Sequence, residues 1–363
     1  MKILVTGVAG FIGFHLVKRL IREEHYQIIG LDNINDYYST DLKYDRLAEL
    51  GVQKDRIIED AIVNSSKHKD LGFIKTDLEN KPVIDRLFEK EEIDIVINLA
   101  AQAGVRYSLK DPYRYIDSNI TGFLNLLEGA RHHSLKHLIY ASSSSVYGAN
   151  TNMPFSTGDN VDHPMSLYAA TKKSNELMAH TYSNLFNIPT TGLRFFTVYG
   201  PWGRPDMALF LFAEALMNDE PIKVFNYGKM ERDFTYIDDI VEGIFRLMSK
   251  PPTQNISWSR KNPDPATSFA PYRIFNIGNS NPVKLMDFIK EIEQQLNIEA
   301  KKEMLPMQPG DVPKTWADVE DLYDYIDFRP QVGIQEGIKH FIDWYKSYFI
   351  TRKEVKPIFE TNK

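Results

Sequence analysis

The sequence has no cysteine among its 363 residues. This absence excludes disulfide bonds, thiolate metal sites and cysteine nucleophiles. Histidine is also sparse, with nine residues spread along the chain. The pair four residues apart, His133 and His137, spans the end of one predicted element and the start of the next, so we expect no metal site.

Positive charge is not in excess, and long apolar runs are missing. The 43 lysines and arginines face 49 aspartates and glutamates, a net charge of −6, which argues against a nucleic-acid or membrane partner. No run approaches the roughly 18 apolar residues of a membrane span. Glycines and His15 interrupt the apolar segment 3–17, and no small-residue cleavage site follows it, so it does not resemble a secretory signal. We expect a cytoplasmic protein.

The sequence does contain a regular alternation of strand-like and helix-like segments. Near-continuous apolar strands are predicted at residues 2–6, 27–31, 72–76, 94–101, 137–142 and 190–196. Amphipathic helices are predicted at residues 13–24, 83–92, 118–132 and 168–186, with an insertion at 41–50 and 55–69. This alternation is typical of a parallel sheet that helices cover on both faces.

Beyond residue 196 the alternation becomes less regular. Strands are predicted at 222–225 and 273–277, helices at 238–248, 284–296 and 334–345, and a surface loop at 251–271. We therefore predict an α/β protein with a doubly wound parallel sheet. Residues 1–195 would form the nucleotide-binding domain, to which some later segments return. Residues 196–350 would form a smaller, mixed α/β lobe that binds the substrate.

Three glycines follow the first strand and precede the first helix. Gly7, Gly10 and Gly13 suit a tight turn, a close approach to a pyrophosphate, and phosphate binding by the helix N-terminus. They also suit a turn without a ligand. Asp32 favours the ligand, because a carboxylate about 20 residues downstream accepts hydrogen bonds from the adenosine ribose and repels a 2′-phosphate. The pattern predicts a Rossmann-type site that prefers NAD to NADP; Asp77 either faces the adenine amine or is a solvated acid.

A tyrosine and a lysine, Tyr168 and Lys172, lie four residues apart on one face of a predicted helix. They follow the serine run 142–145 at the end of a strand, and ligands of parallel sheets bind at the carboxyl ends of strands. A tyrosine pKa is about 10, so catalysis as a base near neutral pH needs positive charge nearby, from Lys172 and an oxidised nicotinamide. A serine hydroxyl can relay the proton. The alternative is a half-buried aromatic residue beside a serine turn.

Seven segments of the chain together resemble the extended short-chain dehydrogenase/reductases that modify nucleotide sugars. Their order and spacing are those of that family, and the resemblance covers the chain from residue 1 to about residue 345. The family also uses the G-x-x-G-x-x-G spacing found here. The segments are TGVAGFIG (6–13), LDN (31–33), NLAAQAGVRYS (98–108), ASSSSVYG (141–148), YAATK (168–172), LRFFTVYGPWGRPDMA (193–208) and RDFTYIDDI (232–240).

Within this family the chain is most similar to the branch that epimerises UDP-glucuronate at C4. Relatives that dehydrate or decarboxylate the sugar carry an acid for proton transfer where this chain has Ser144 and Ser145. Galactose-type epimerases typically have asparagine in place of Thr197 and lack Arg204. The resemblance implies conversion of UDP-glucuronate to UDP-galacturonate by transient oxidation to a 4-keto sugar, rotation of that intermediate and return of the hydride.

Three alternatives remain open. The first is a 4-epimerase of UDP-glucose or UDP-N-acetylglucosamine. The second is a UDP-glucuronate decarboxylase or an NAD-linked dehydrogenase. The third is a non-catalytic nucleotide sensor, against which the intact Tyr168 and Lys172 argue.

The resemblance also implies roles for individual residues. Tyr168 removes the proton of the 4-hydroxyl, Ser143 or Ser144 bridges the two oxygens, and Lys172 holds the nicotinamide ribose and lowers the phenol pKa. The implied cofactor contacts are Gly7, Gly10, Phe11, Ile12, Gly13, Asp32, Asn33, Asp77, Leu78, Leu99, Ala100, Ala101, Asn119, Tyr168, Lys172 and Phe195. The implied substrate contacts are Arg106, Ser145, Thr197, Arg204, Arg232 and Asp311.

These substrate contacts divide between the two ends of a UDP-sugar. Arg106, Arg204 and Thr197 are candidates for the sugar carboxylate, although a surface ion pair or a diphosphate contact is the alternative for each arginine. Arg232 resembles a diphosphate ligand and Asp311 a uridine-ribose contact. Where the family often has an arginine, three residues before Asp311, this chain has glutamine. The family implies a homodimer formed by helices near residues 119–132 and 168–186.

Overall fold

Eight strands form one largely parallel sheet in this computed structural model, which describes residues 1–308 and 312–350. Their spatial order is β3–β4–β2–β1–β5–β6–β7–β11, and only the pair of β3 and β4 is antiparallel. The strands of the described residues are β1 (Lys2–Thr6), β2 (Gln27–Asp32), β3 (Ile62–Asn64), β4 (Leu71–Lys75), β5 (Ile95–Asn98), β6 (His137–Ser143), β7 (Thr190–Phe195), β8 (Thr197–Tyr199), β9 (Ile222–Val224), β10 (Glu231–Tyr236), β11 (Tyr272–Ile277), β12 (Pro282–Lys284), β13 (Lys302–Met304) and β14 (Lys314–Thr315).

The helices pack on both faces of this sheet because alternate strand residues point to opposite sides. In β1, Ile3 and Val5 belong to one apolar core and Leu4 to the other. The helices are α1 (Phe11–Leu20), α2 (Thr40–Glu49), α3 (Lys81–Lys90), α4 (Pro112–Ile116), α5 (Gly122–His132), α6 (Leu167–Phe186), α7 (Ala208–Met217), α8 (Ile237–Met248), α9 (Leu285–Leu296), α10 (Glu320–Ile326) and α11 (Ile334–Ile350). The first core includes residues of α1, α8, α9 and α11, and the second includes residues of α3, α5 and α6.

Smaller sheets follow the main one along the chain. Strand β10 pairs with β8 and β14 in parallel and with β12 in the antiparallel sense, and β13 pairs with β9. Strand β11 instead returns to the main sheet, where Tyr272 pairs with Thr190 and Ile277 with Phe195. The predicted doubly wound α/β fold is confirmed. The division at residue 195 stays a prediction.

Several elements differ from the predicted pattern. Helix α7 was not predicted, because its sequence, ALFLFAEALM, is apolar on most sides and lacks a helical period. Strand β10 was not predicted either, since charged residues occupy its first three positions. The first four residues of the helix predicted at 118–132 belong to a wider π-helical turn, Asp117–Thr121, and the α-helix begins at Gly122. None of the described helices has the length and hydrophobicity of a membrane span.

Candidate active site

The carboxyl ends of the main strands open into a cavity of about 700 Å³. Its size is in the range of ligand pockets, roughly 300–1,000 Å³. The lining contains 21 of the residues selected from the sequence: Gly7, Gly10, Phe11, Ile12, Gly13, Asp32, Asn33, Leu78, Leu99, Ala100, Ala101, Arg106, Ser143, Ser144, Ser145, Tyr168, Lys172, Phe195, Thr197, Arg204 and Arg232. Asp77 and Asn119 lie outside the lining, and Asp311 lies outside the described residues.

The loop of Gly7, Gly10 and Gly13, here called the glycine cradle, is packed so closely that it has no room for side chains. A Cβ atom on Gly13 would lie 2.2 Å from the carbonyl oxygen of Gly7, and one on Gly7 would lie 2.8 Å from the nitrogen of Ala100. Gly7 also has a φ of 75°, which favours glycine. Gly10 precedes helix α1 without a capping side chain, so the first amides of the helix are available to an anion.

The far end of the cavity carries polar groups suited to an adenosine. The carboxylate of Asp32 accepts hydrogen bonds from the amides of Ala9, at 3.0 Å, and Ile34, at 2.8 Å, which fix its position. Thr76 also lines this part of the cavity. Together with the glycine cradle, these residues fit a dinucleotide.

Two residues expected at the cofactor are placed differently. The carboxylate of Asp77 accepts a hydrogen bond of 2.7 Å from the side-chain amide of Asn33, and Asp77 lies outside the lining. Asn119 sits in the π-helical turn, where its side chain accepts from the amide of Gln102 and donates to Thr171. Asn119 therefore supports the wall that contains residues 99–103 instead of lining it.

Tyr168 and Lys172 occupy the first two turns of α6, and Ser166 caps that helix by accepting a hydrogen bond from Ala169. Burial raises the pKa of the Tyr168 phenol, while the Ser143 hydroxyl and the charge of Arg204 oppose this rise. Without a cofactor the phenol is therefore protonated at neutral pH. Lys172 is buried, which lowers its pKa to about 8, and its ammonium donates to the Ala141 carbonyl oxygen at 2.9 Å.

A buried ion pair lies beneath these residues. The guanidinium of Arg194, on β7, donates to both carboxylate oxygens of Glu176, on α6, at 2.8 and 3.0 Å. Ser142, beside Ser143 on β6, donates to the same carboxylate at 2.7 Å. The pair thus joins the helix of Tyr168 to the two strands that end at the cavity.

A second ion pair lines the cavity itself. Arg204 donates to both oxygens of Asp206, at 3.0 and 2.6 Å, and the Tyr37 hydroxyl donates to the same carboxylate at 3.0 Å. All three side chains line the cavity. Despite its burial, the Asp206 carboxyl has a lowered pKa because Arg204 stabilises its charged form.

The remaining predicted substrate residues lie towards the C-terminal strands. Thr197 begins β8 and lines the cavity. The guanidinium of Arg106 lies 5.4 Å from the centre of the Phe225 ring. Arg232 donates to the carbonyl oxygens of Val312 and Pro313, at 2.7 and 3.2 Å. Arg106 therefore packs on the segment after β9, and Arg232 holds the residues that precede β14.

Sequence reasoning missed several polar or aromatic residues of the lining, among them Tyr37, Lys43, Asp206 and Phe225. Lys43 is buried, which lowers its pKa to about 8, and its ammonium donates to the backbone and side-chain oxygens of Asn35. Asp206 lies two residues after Arg204, inside the segment 193–208 that carries the resemblance. This position was the signal that could have identified it. Lys43 lies in the insertion and Tyr37 lies shortly before it, and no motif identified either residue.

Comparisons with known proteins agree with this geometry. Residues 3–278 match the family model described as "NAD dependent epimerase/dehydratase family". The chain is 58% identical to "Protein CapI" of Staphylococcus aureus, over 96% of this chain and 99% of that protein. It is 47% identical to "Probable UDP-glucuronate 4-epimerase" of Rhizobium meliloti, over 95% and 97%. A crystal structure of UDP-glucuronic acid 4-epimerase from Bacillus cereus with UDP-glucuronic acid and NAD is 32% identical, with a TM-score of 0.80 over 96% of this chain and 100% of that one.

Proposed function

Since the chain belongs to the NAD dependent epimerase/dehydratase family, we propose that it interconverts UDP-glucuronate and UDP-galacturonate by inverting C4 of the sugar. One observation carries the choice of sugar. A cavity that contains the tyrosine, lysine and serine of a hydroxyl oxidation site also contains the guanidinium of Arg204, whose charge reaches the phenol of Tyr168. A sugar bound between Tyr168 and Arg204 would have a base beside one of its substituents and a fixed positive charge beside another.

The residues of the glycine cradle would hold the cofactor at one end of the cavity. The amides of α1 would bind the pyrophosphate, Asp32 the adenosine ribose, and Lys172 the nicotinamide ribose. When bound, oxidised NAD supplies a reversible hydride acceptor for C4 of the sugar and a positive charge that favours the phenolate. Because the hydride returns to the sugar, no external oxidant is needed.

Tyr168 would exchange the proton of the 4-hydroxyl. The Ser143 hydroxyl already stabilises the charged form of this phenol, and its oxygen accepts a hydrogen bond of 3.1 Å from the amide of Ser145. That bond leaves the Ser143 proton directed to other acceptors, so Ser143 can bridge Tyr168 and the sugar. Ser144 lines the same wall and is the second candidate for this role.

The other cations of the cavity divide between the two charged parts of the substrate. Arg204 pairs with Asp206 near Tyr168 and would bind the hexuronate carboxylate, with Thr197 nearby. Arg106, beside Phe225, and Arg232, on β10, line the same cavity and would bind the diphosphate.

We also propose that two copies of the chain pair through α5 and α6. These helices pack against each other, yet they expose apolar side chains: Leu124 is 38% exposed, Leu177 58% and Leu185 63%. An apolar surface shared by two adjacent helices indicates an interface. Leu177→Lys is expected to give monomers in light scattering at micromolar concentration, whereas Leu211→Lys, on α7, serves as the exposed control. Monomeric wild-type protein would contradict this proposal.

The function is tested by NMR of purified protein with UDP-glucuronic acid and no added cofactor. The expected result is growth of the UDP-galacturonic acid anomeric signal with no free NADH. Conversion of UDP-glucose or UDP-N-acetylglucosamine alone would overturn the assignment of the carboxylate. A UDP-pentose product would indicate a decarboxylase, and net NADH a dehydrogenase. No conversion of any UDP-sugar by NAD-loaded protein would leave only a nucleotide-binding role.

A further inference from the structure

We propose that Asp206 and Tyr37 are positioning residues that fix the guanidinium of Arg204 and so set the preference of the cavity for an anionic sugar. This inference rests on the proposed function, in which Arg204 binds the hexuronate carboxylate. Asp206 lies in a segment that carries the resemblance but has no role assigned there, and Tyr37 lies in none of those segments. Their role follows from the contacts that they make.

The contact between Asp206 and Arg204 uses one edge of the guanidinium. Nε donates to Oδ1 at 3.0 Å and Nη2 donates to Oδ2 at 2.6 Å, while the side chains are 26% and 18% exposed for Arg204 and Asp206. A planar guanidinium held at two points has its orientation fixed. The contact with Asp206 does not use Nη1, which can therefore donate to a ligand.

Tyr37 holds the carboxylate from another side. Its hydroxyl donates to Oδ2 of Asp206 at 3.0 Å, and its ring lies 5.0 Å from the ring of Tyr107. Space for the hydroxyl exists because residue 104 is glycine, with a φ of 100°, where a Cβ atom would lie 2.3 Å from the Tyr37 oxygen. The backbone, the ring contact and the hydrogen bond therefore fix Tyr37 before any ligand binds.

The backbone next to Arg204 is anchored as well. Arg46, on α2, is fully buried and donates to the carbonyl oxygens of Trp202 and Gly203, at 2.7 and 3.2 Å. It also donates to the carbonyl oxygen of Ala9 in the glycine loop, at 2.8 Å. The backbone next to Arg204 is thus held in place, and so is Asp206, the partner of its side chain. A contact that selects an anion by its geometry requires such support.

The direction in which Asp206→Asn changes the binding of UDP-glucuronate distinguishes positioning of Arg204 from a simple balance of charges. Asp206 is an anion beside the proposed site of another anion, so if it acted only through its charge, Asp206→Asn would tighten binding of UDP-glucuronate. If it acts by orienting Arg204, the same change weakens binding, because the two-point contact is lost while the side chain keeps its size. We expect weakening.

The experiment measures kcat and KM for UDP-glucuronate and UDP-glucose in Asp206→Asn, Tyr37→Phe and Arg204→Ala. Asp206→Asn is expected to raise KM for UDP-glucuronate about 10- to 100-fold, the usual effect of losing a charged hydrogen bond, with a smaller change in kcat. KM for UDP-glucose should change less than about threefold. Tyr37→Phe should act in the same direction by roughly three- to tenfold, and it carries the test if Asp206→Asn does not fold. Asp219→Asn, in the exposed pair with Lys301, is the matched control.

The double variant Asp206→Asn/Arg204→Ala completes the test. If Asp206 acts through Arg204, the double variant should equal Arg204→Ala alone, since the two effects are then not additive. An unchanged or lowered KM for UDP-glucuronate in Asp206→Asn, equal losses with both sugars, or additive effects would overturn the inference. Equal losses with both sugars in Arg204→Ala would instead overturn the proposed carboxylate contact itself, so the two failures are distinguishable.

Discussion

Removing the cation of the buried pair beneath the active site should destabilise the protein severely. In Arg194→Met the carboxylate of Glu176 keeps its place, 1% exposed, but loses two hydrogen bonds and its counter-charge. Breaking a buried ion pair from one side costs about 3–5 kcal/mol of unfolding free energy. Lys173, whose ammonium is 3.6 Å from the carboxylate, remains, so we expect a loss of about 3 kcal/mol, at the lower end of that range.

The same change should reverse the pH dependence contributed by Glu176. In the wild type, burial opposes ionisation but Arg194 outweighs it and lowers the pKa of Glu176. That contribution to stability is present above the unfolded pKa, about 4.3, and is lost as pH falls through the lower folded pKa. In Arg194→Met burial is opposed only by the charge of Lys173 and the hydrogen bond from Ser142, so we expect the pKa of Glu176 to rise above its wild-type value. The difference in unfolding free energy between the wild type and the variant should therefore become smaller as pH falls from about 8 to about 5.5.

Urea unfolding of the wild type and the variant at both pH values measures this effect. Glu176→Leu/Arg194→Met removes both charges and should be more stable than Arg194→Met alone, because no buried charge is left uncompensated. Asp219→Asn, in its exposed ion pair, is the control for an ordinary loss of a charge. A loss below about 1 kcal/mol in Arg194→Met, or a loss that does not change with pH, would refute the reasoning.

Three further predictions concern the active site. Tyr168→Phe should fold and bind NAD while kcat falls about 10²- to 10⁴-fold, measured by NMR; normal turnover would remove Tyr168 from the mechanism. Gly13→Ala should purify without NAD, because its Cβ atom would meet the Gly7 oxygen at 2.2 Å; a wild-type cofactor content in the absorbance spectrum would contradict this. The wild-type kcat/KM should fall as pH rises through about 8, where the buried Lys172 loses its proton; a profile that stays flat to about pH 9.5 would exclude a need for that charge.

The sequence was most informative where local geometry alone determines position. The glycine loop, the serine run and Tyr168 each border the carboxyl end of a parallel strand, and such ends meet at one edge of a sheet. Their shared cavity could therefore be predicted without the structure. Asn119 shows the limit of this reasoning, because the π-helical turn directs its amide to Gln102 and Thr171.

Contacts between distant loops could not be predicted. Tyr37 and Asp206 are 169 residues apart in the chain, and their hydrogen bond depends on how two irregular segments cross the cavity. Arg46 was hidden for the same reason, since its partners are backbone carbonyl groups and leave no pattern of side chains. Helix α7 was missed because an almost wholly apolar segment carries no periodic signal.

The return of β11 to the main sheet has a consequence for synthesis of the chain. Every residue of β7 is buried, and its outer edge is covered only by β11, which emerges from the ribosome much later. Until then the nascent chain presents an unpaired apolar edge, the kind of surface on which strands of different chains associate. A fragment that ends after Phe195 would keep that edge permanently, so it should accumulate as aggregates, whereas a circular permutant that retains β11 beside β7 should stay monodisperse.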